Sequence, residues 1–107
     1  MPETYKSYGA ILGSTAATSI YAGITPGTAI VNSINVSNGS TGYGNFITVE
    51  LLKGSTAYSI ITSATLPVGS SLQVLDAPLV LEASNSLRCT AGYTYPVHTI
   101  ISVMEIT

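Results

Sequence analysis

Charge is the scarcest property of this sequence. Only 7% of its 107 residues are charged, against about 25% in an average soluble protein. The three basic residues and a formal net charge of −2 exclude the basic surface that nucleic-acid binding requires. Apolar residues make up 46% of the chain, a share that excludes a disordered protein.

Long apolar runs and targeting segments are also missing. Gly, Ser, Thr and Asn interrupt the uncharged stretch from Ser7 to Val49 every few residues. No run therefore approaches the roughly 20 apolar residues that cross a bilayer, and we expect no membrane partner. The opening residues lack the basic and apolar regions of a secretory signal, which favours synthesis in a cytoplasm. Met1 to Thr4 is predicted to be a flexible arm.

Groups that could perform catalysis or bind metals are few and scattered. His98 has no visible acid–base partner, so we expect it to be partly buried and bonded to a hydroxyl or carbonyl group. Cys89 has no second cysteine to pair with and alternates with apolar neighbours, which predicts a small core side chain. The carboxylates are isolated along the chain, which indicates ordinary surface charge and no metal site. Those concerned are Asp76, Glu50, Glu82 and Glu105. We predict no enzyme, no catalytic residue and no cofactor.

Residues that favour β-strands are abundant. Ile, Val and Thr together occupy 33 of the 107 positions, and short segments alternate with turn residues, which is typical of an all-β sandwich or barrel. Turns are indicated at Thr25-Pro26-Gly27 and Gly54-Ser55. We predict a single antiparallel β-sandwich of about eight strands over residues 5–107, either jelly-roll-like or Ig-like. One short strand is expected over 79–83, with Ala83 facing inward.

The last predicted strand, Val97 to Thr107, is apolar on both faces. Val97, Ile101 and Val103 fall on one face, and Ile100, Met104 and Ile106 fall on the other. A strand that is apolar on both faces is normally covered on both faces. A small sandwich can cover one of these faces itself, so we expect a second subunit to cover the other.

Tyrosines supply the remaining candidate contacts. Tyr93 and Tyr95 flank Thr94 just before Pro96, and Tyr offers a large contact area at a small cost in entropy. Three alternatives follow for this pair: an interface, two loop side chains that lie on their own domain, or a surface on which a sugar stacks. The residues predicted to form an interface are Tyr5, Tyr93, Tyr95, Ile100, Met104 and Ile106.

Several segments together carry a likeness to a known group of proteins. They are Tyr8–Leu12, Thr18–Gly23, Ala29–Asn38, Leu66–Leu72, Leu79–Arg88 and Ser102–Ile106. In their pattern of strands and turns they resemble the small all-β virion proteins of tailed bacteriophages, which include capsid decoration, neck and tail-associated sandwiches.

The resemblance implies a structural role in a virion. The first expectation is a decoration or cement protein that stabilises the shell by non-covalent contacts with the major capsid protein or another virion protein. It implies a homo-oligomer, with a trimer favoured, that is made in the host cytoplasm and located in the virion. One alternative is a neck, tail or fibre-base adaptor. An alternative of a different class is a glycan-binding module for the host surface.

Overall fold

Nine β-strands make up the regular secondary structure of the computed structural model, which describes residues 3–24 and 26–107. The strands are β1 (Glu3–Leu12), β2 (Thr18–Ala22), β3 (Thr28–Asn38), β4 (Asn45–Lys53), β5 (Thr56–Leu66), β6 (Ser71–Gln73), β7 (Leu79–Leu81), β8 (Asn85–Ala91) and β9 (Val97–Ile106). No helix occurs among these residues, and so none of a length that could cross a membrane. The all-β prediction is confirmed.

The strands form two antiparallel sheets. The five-stranded sheet has the order β1-β9-β3, with β6 and β7 both paired to the far side of β3, and the four-stranded sheet has the order β2-β8-β4-β5. Because β6 and β7 pair with different parts of β3, they act as one interrupted strand. Counted in this way, the sandwich has eight strands, four in each sheet, in the order of a jelly roll.

The interruption between β6 and β7 is closed by hydrogen bonds to β3. Ile34 donates its amide to the Oε1 atom of Gln73 at 3.0 Å, and the Val74 amide donates to the Ile34 carbonyl at 2.9 Å. Pro78, just before β7, has no amide hydrogen to donate. The chain therefore leaves the sheet after β6 without leaving the backbone of β3 unpaired at this point.

The core lies between the two sheets and comes from the alternation of side chains along each strand. On β9 every second side chain is buried, and the same alternation runs through β8. Cys89 is fully buried, as predicted. The largest fully buried side chains are Leu12, Val31, Ile34, Val36, Ile47, Val49, Leu66, Leu81, Leu87, Val97, Ile101 and Val103.

The first strand begins earlier than the sequence indicates. Glu3 and Thr4, which were expected in the arm, pair with Ile106 and Glu105 of β9 and extend β1 by two residues. The neighbouring strand supplies the backbone partners for this extension, and the sequence pattern does not reveal them. Residues 1 and 2 of the predicted arm lie outside the described residues, as does residue 25 of the predicted Thr25-Pro26-Gly27 turn.

The Gly54-Ser55 turn is confirmed, since Lys53 pairs with Thr56 across it and Gly54 has a φ of +63°, which glycine adopts without strain.

The inward position predicted for Ala83 is wrong. Strand β7 ends at Leu81, and Ala83 is exposed. Residues 82–85 instead form a turn. It is closed by the Asn85 amide, which donates to the Glu82 carbonyl at 3.1 Å, and within it Ser84 has a φ of +72°. The alternation of side chains therefore stops before Ala83.

Candidate interaction surface

The five-stranded sheet carries an apolar row on the face that points away from the four-stranded sheet; we call this the outer face. Tyr5 on β1 pairs with Met104 on β9, Met104 pairs with Ile30 on β3, and Ile30 pairs with Val80 on β7. Paired residues project to the same side of a sheet. Four apolar side chains thus cross four strands in one line, and Tyr5 is 73% and Val80 54% exposed.

A second apolar group on the outer face surrounds a groove over Gly9. Gly9 pairs with Ile100 and has no side chain to fill the space beside it. The groove has a volume of about 480 Å³ and is bounded by Ile11, His98 and Ile100. Ile11 is 66% and Ile100 54% exposed. The outer face therefore combines an apolar ridge with an adjacent groove.

The two sheets differ in the character of their outward sides. Among the described strand residues that project from the outer face, Glu3 alone is charged. The corresponding side of the four-stranded sheet carries the ion pair between Arg88 Nε and Glu50 Oε1, 2.7 Å apart, next to the paired residues Thr48 and Thr90. Of the six exposed large apolar side chains in the described strands, four lie on the outer face and two on the four-stranded sheet. Contiguous apolar patches of this kind mark interaction sites.

The structure brings together four of the six residues predicted to form an interface. Tyr5 and Ile100, Met104 and Ile106 of β9 all project from the outer face. Tyr93 and Tyr95 lie elsewhere, in the loop between β8 and β9. The sequence analysis missed Ile11, Ile30 and Val80 as members of this surface, although their alternation with inward residues along each strand could have indicated them. An interface role for all of these residues remains a prediction.

The loop tyrosines belong to a separate aromatic cluster. Tyr95 stacks on Tyr43, with ring centroids 4.4 Å apart and planes inclined by 7°. Tyr93 lies against both Tyr95 and Phe46, at 6.1 Å and 5.7 Å. The cluster joins the β3–β4 loop to the β8–β9 loop, and Tyr93 remains half exposed. These rings therefore lie partly on their own domain and partly in solvent.

A buried amide anchors the β8–β9 loop to the start of β4. Asn45 donates from Nδ2 to the carbonyls of Tyr93 and Tyr95 at 3.2 and 3.1 Å. Its Oδ1 atom accepts from the amides of Phe46 and Tyr93 at 2.8 and 2.9 Å. Asn45 is 2% exposed, and its buried polar atoms are all bonded, as burial requires. The backbone that carries Tyr93 and Tyr95 is thus held against β4.

Glu105 is a buried carboxylate and is not the surface charge that the sequence predicts. Its Oε2 atom accepts hydrogen bonds from the hydroxyls of Tyr21 and Tyr8 at 2.6 and 3.0 Å, and its Oε1 atom lies 3.2 Å from Lys6 Nζ. Only 7% of its side chain is exposed. Tyr21 comes from the four-stranded sheet and the other three residues from the five-stranded sheet, so this network connects the sheets.

The network shifts the pKa values of its members. The hydrogen bond from Tyr21, opposed by burial, holds the pKa of Glu105 below its ordinary value. Burial in turn raises the pKa values of Tyr21 and Tyr8, and the hydrogen bond to Glu105 raises the pKa of Lys6. The network lines an open cleft of about 410 Å³ between the edges of the two sheets, with Ile20 and Ile24 as apolar neighbours.

Other chemically capable side chains are dispersed over the described residues. His98 projects from the outer face and is exposed, so its predicted partial burial is wrong; its position on β9 alternates with the inward Val97 and Thr99. Burial raises the pKa of the Cys89 thiol to about 12. Within residues 3–24 and 26–107, no cluster of three or more His, Cys, Asp or Glu could hold a metal ion.

The fold and this surface define an all-β jelly-roll sandwich with one apolar outer side. No family model and no curated protein matches the sequence. Solved structures with a similar fold include a chain of the disulfide-linked pili that form Bacillus endospore appendages. It is 16% identical, with a TM-score of 0.58, and the match covers 98% of this chain and 88% of the pilus chain.

Two further structures with a similar fold belong to pentameric proteins. The Drosophila NLP core, studied for pentamer formation and histone binding, is 18% identical with a TM-score of 0.55, and the match covers 97% of this chain and 98% of that one. A pentameric capsid protein isolated from metagenomic phage sequences is 19% identical with a TM-score of 0.52. The match covers 90% of this chain and spans 58% of the capsid protein's length.

Proposed function

We propose that this protein is a self-assembling structural subunit of a phage particle. The observation that carries the proposal is the outer face, a nearly uncharged surface on which an apolar row and an apolar groove lie side by side. Contiguous exposed apolar surface marks a site of protein contact on a soluble domain. In an assembly, this face packs against a neighbouring subunit.

The similar folds support assembly as the role. A capsid protein from phage sequences, a pilus chain and the NLP core all belong to assemblies of several copies. Jelly rolls also occur widely among viral capsid proteins. These relationships establish a shared architecture, and the apolar outer face supplies a surface on this chain through which assembly could take place.

The surface chemistry favours non-covalent contacts. Hydroxyl groups enter an interface at a much lower desolvation cost than unpaired charges, and Ser and Thr occupy 28 of the 107 positions. Cys89 is fully buried, so it cannot form the kind of disulfide that links copies in the endospore pili. Copies of this chain therefore associate by packing and hydrogen bonds.

Within this role, we propose decoration or cementing of the capsid, in which the protein contacts the major capsid protein and strengthens the shell. A neck, tail or fibre-base adaptor is the alternative position in the virion. The resemblance to phage decoration proteins implies a trimer, whereas the outer face by itself sets no number of copies.

The test measures self-association and capsid binding together. Light scattering gives the mass of the purified protein, and sedimentation with empty phage capsids gives the copies bound. Ile100→Asp places a charge on the outer face and should reduce association or capsid binding at least tenfold. Tyr58→Asp is the matched control, because Tyr58 is equally exposed (54%) but lies on the four-stranded sheet.

A wild-type protein that remains monomeric at virion-like concentrations and does not bind capsids would overturn the proposed function. Equal losses in the two Asp variants would also contradict it, since the outer face would then have no special part. Retained folding of both variants is checked by circular dichroism.

A further inference from the structure

The long strand β1 leaves one edge of the five-stranded sheet open. It pairs with β9 over ten residues without a shift in register, and no described strand pairs with its other side. Its first five residues are all exposed. An unpaired edge of this length offers a row of backbone donors and acceptors to another strand.

The other strand edges of the sandwich are shorter or irregular. Strands β6 and β7 have three residues each. Strand β5 pairs with β4 through two register shifts and contains Ser63 with a φ of +48°, while β2 has a shift between Ser19 and Tyr21. Bulges and short strands discourage pairing with further chains. β1 alone among the described strands combines length, regularity and a free edge.

Charge does not protect the β1 edge. Lysine often blocks edge pairing, but Lys6 is directed to Glu105, 3.2 Å away, on the side that faces the other sheet. Glu3 lies at the first position of the strand. The remaining eight residues of β1 are uncharged, so a second strand meets no charge along most of its length.

The strand is complementary to a second copy of itself. Tyr5 and Ile11 lie on the same face of β1, six residues apart, and are 73% and 66% exposed. If two β1 strands pair antiparallel around Tyr8, Tyr5 of each copy lies opposite Ile11 of the other. Aromatic and β-branched residues are a favourable cross-strand pair. This register also places Lys6 opposite Ala10, so like charges do not meet.

We propose that two copies join through their β1 strands, antiparallel and centred on Tyr8, into one continuous sheet across a twofold axis. The register keeps even-numbered residues opposite even-numbered residues, so the outer faces of both copies lie on the same side. This inference deepens the proposed function, on which it rests, by naming the strand that joins the copies. A twofold contact predicts an even number of copies, in place of the trimer that the resemblance implies.

Engineered disulfides test the register. Directly opposed Cα atoms in an antiparallel pair lie about 4.5–5.5 Å apart, within the range of about 4.4–6.8 Å that a disulfide spans. The double variant Tyr5→Cys/Ile11→Cys should therefore run mainly as a covalent dimer after mild oxidation. Each single variant should remain uncrosslinked, because its two cysteines are six residues apart along the strands, about 20 Å. Cys89 is retained in all variants, because its thiol is buried.

A second variant leaves both apolar side chains in place. Ser7 and Gly9 oppose each other in the same register, and Ser7→Cys/Gly9→Cys should crosslink while Tyr5 and Ile11 remain. A Cβ atom at Gly9 meets its nearest neighbour, the Thr99 carbonyl, at 3.7 Å, so the substitution fits. Efficient crosslinking by Ser7→Cys alone would indicate a register shifted to Ser7 and overturn the Tyr5–Ile11 pairing.

The outcomes separate this inference from the proposed function. An oligomer that binds capsids but forms no disulfide in either double variant overturns the β1 contact and leaves the structural role intact. An odd number of copies by light scattering overturns it too. A wild-type protein that neither associates nor binds capsids, in the absence of oxidant, overturns the proposed function itself.

Discussion

Two tyrosine hydroxyl groups, those of Tyr21 and Tyr8, donate to Glu105. Removal of the Tyr21 hydroxyl should destabilise the protein more than removal of the other. The Tyr21 hydroxyl donates to the buried Glu105 carboxylate at 2.6 Å, and a hydrogen bond to a charged group contributes about 1.5–3 kcal/mol. Tyr8 and Lys6 remain bound to Glu105 in Tyr21→Phe. We therefore expect a loss of about 2 kcal/mol at pH 7, below the roughly 3–5 kcal/mol seen when a buried charge loses its partner.

The pH dependence identifies the carboxylate as the origin of this loss. A carboxyl group whose pKa is lowered by folding stabilises the protein above its ordinary pKa, and that stabilisation is lost as the pH falls through the folded value. The pKa of Glu105 is lowered from about 4.5, chiefly by the Tyr21 hydrogen bond. The difference between wild type and Tyr21→Phe should therefore be largest near pH 7 and shrink once Glu105 is protonated.

Urea and thermal unfolding, each followed by circular dichroism at pH 7 and pH 3, measure both effects. A thermal midpoint lower by roughly 10 °C at pH 7 corresponds to the expected loss. Tyr58→Phe is the control, since Tyr58 is exposed and such changes cost less than about 0.5 kcal/mol. Unchanged stability of Tyr21→Phe at pH 7, or a loss that is equal at both pH values, would refute the reasoning.

Further expectations concern the core, the loops and the attachment to particles. Asn45→Ala should lower the free energy of unfolding by roughly 2–3 kcal/mol in urea titrations, because four backbone groups lose their partner; an effect below about 0.5 kcal/mol would contradict this. Cys89→Ala should cost about 1 kcal/mol with unchanged capsid binding. Burial raises the pKa of the Cys89 thiol from 9.0 to about 12. Because the unfolded thiol then ionises first, wild-type stability should fall as the pH rises above 9. Between pH 9 and 10 this fall should be smaller in Cys89→Ala. Protein bound to capsids should survive a wash in molar salt, which screens ion pairs, and be released by urea; release by salt alone would show that ion pairs hold the interface.

Alternation along β9 was sufficient to predict the part of the apolar surface that this strand contributes. Along β9, Val97, Ile101 and Val103 point inward and Ile100, Met104 and Ile106 point outward, as the period of two requires. Tyr5 joins them because β1 lies beside β9, and this pairing of distant segments is not contained in the pattern of either strand. The sequence indicates which side chains share a face, and the sheet order decides which faces meet.

Glu105 shows where this reasoning fails. Its position on β9 follows the inward series of Val97, Thr99, Ile101 and Val103, yet carboxylates are rarely buried, and residue type led to the wrong prediction. The partner that makes burial tolerable is Tyr21, 84 positions away on the other sheet. The contact in which the Gln73 side chain replaces a backbone partner of β3 was equally hidden, because it joins residues 39 positions apart.

The central place of β9 has a consequence for how the chain reaches its native state. β9 is the last of the nine strands in chain order, yet it lies between β1 and β3, and Glu3 pairs with Ile106. During synthesis, β1 and β3 have no partner in the middle of their sheet until β9 has emerged from the ribosome. Folding dominated by such distant contacts is slow, typically milliseconds to seconds for all-β domains. The nascent chain is therefore exposed to wrong strand pairings until β9 has emerged, and its scarcity of charge gives it little protection against aggregation.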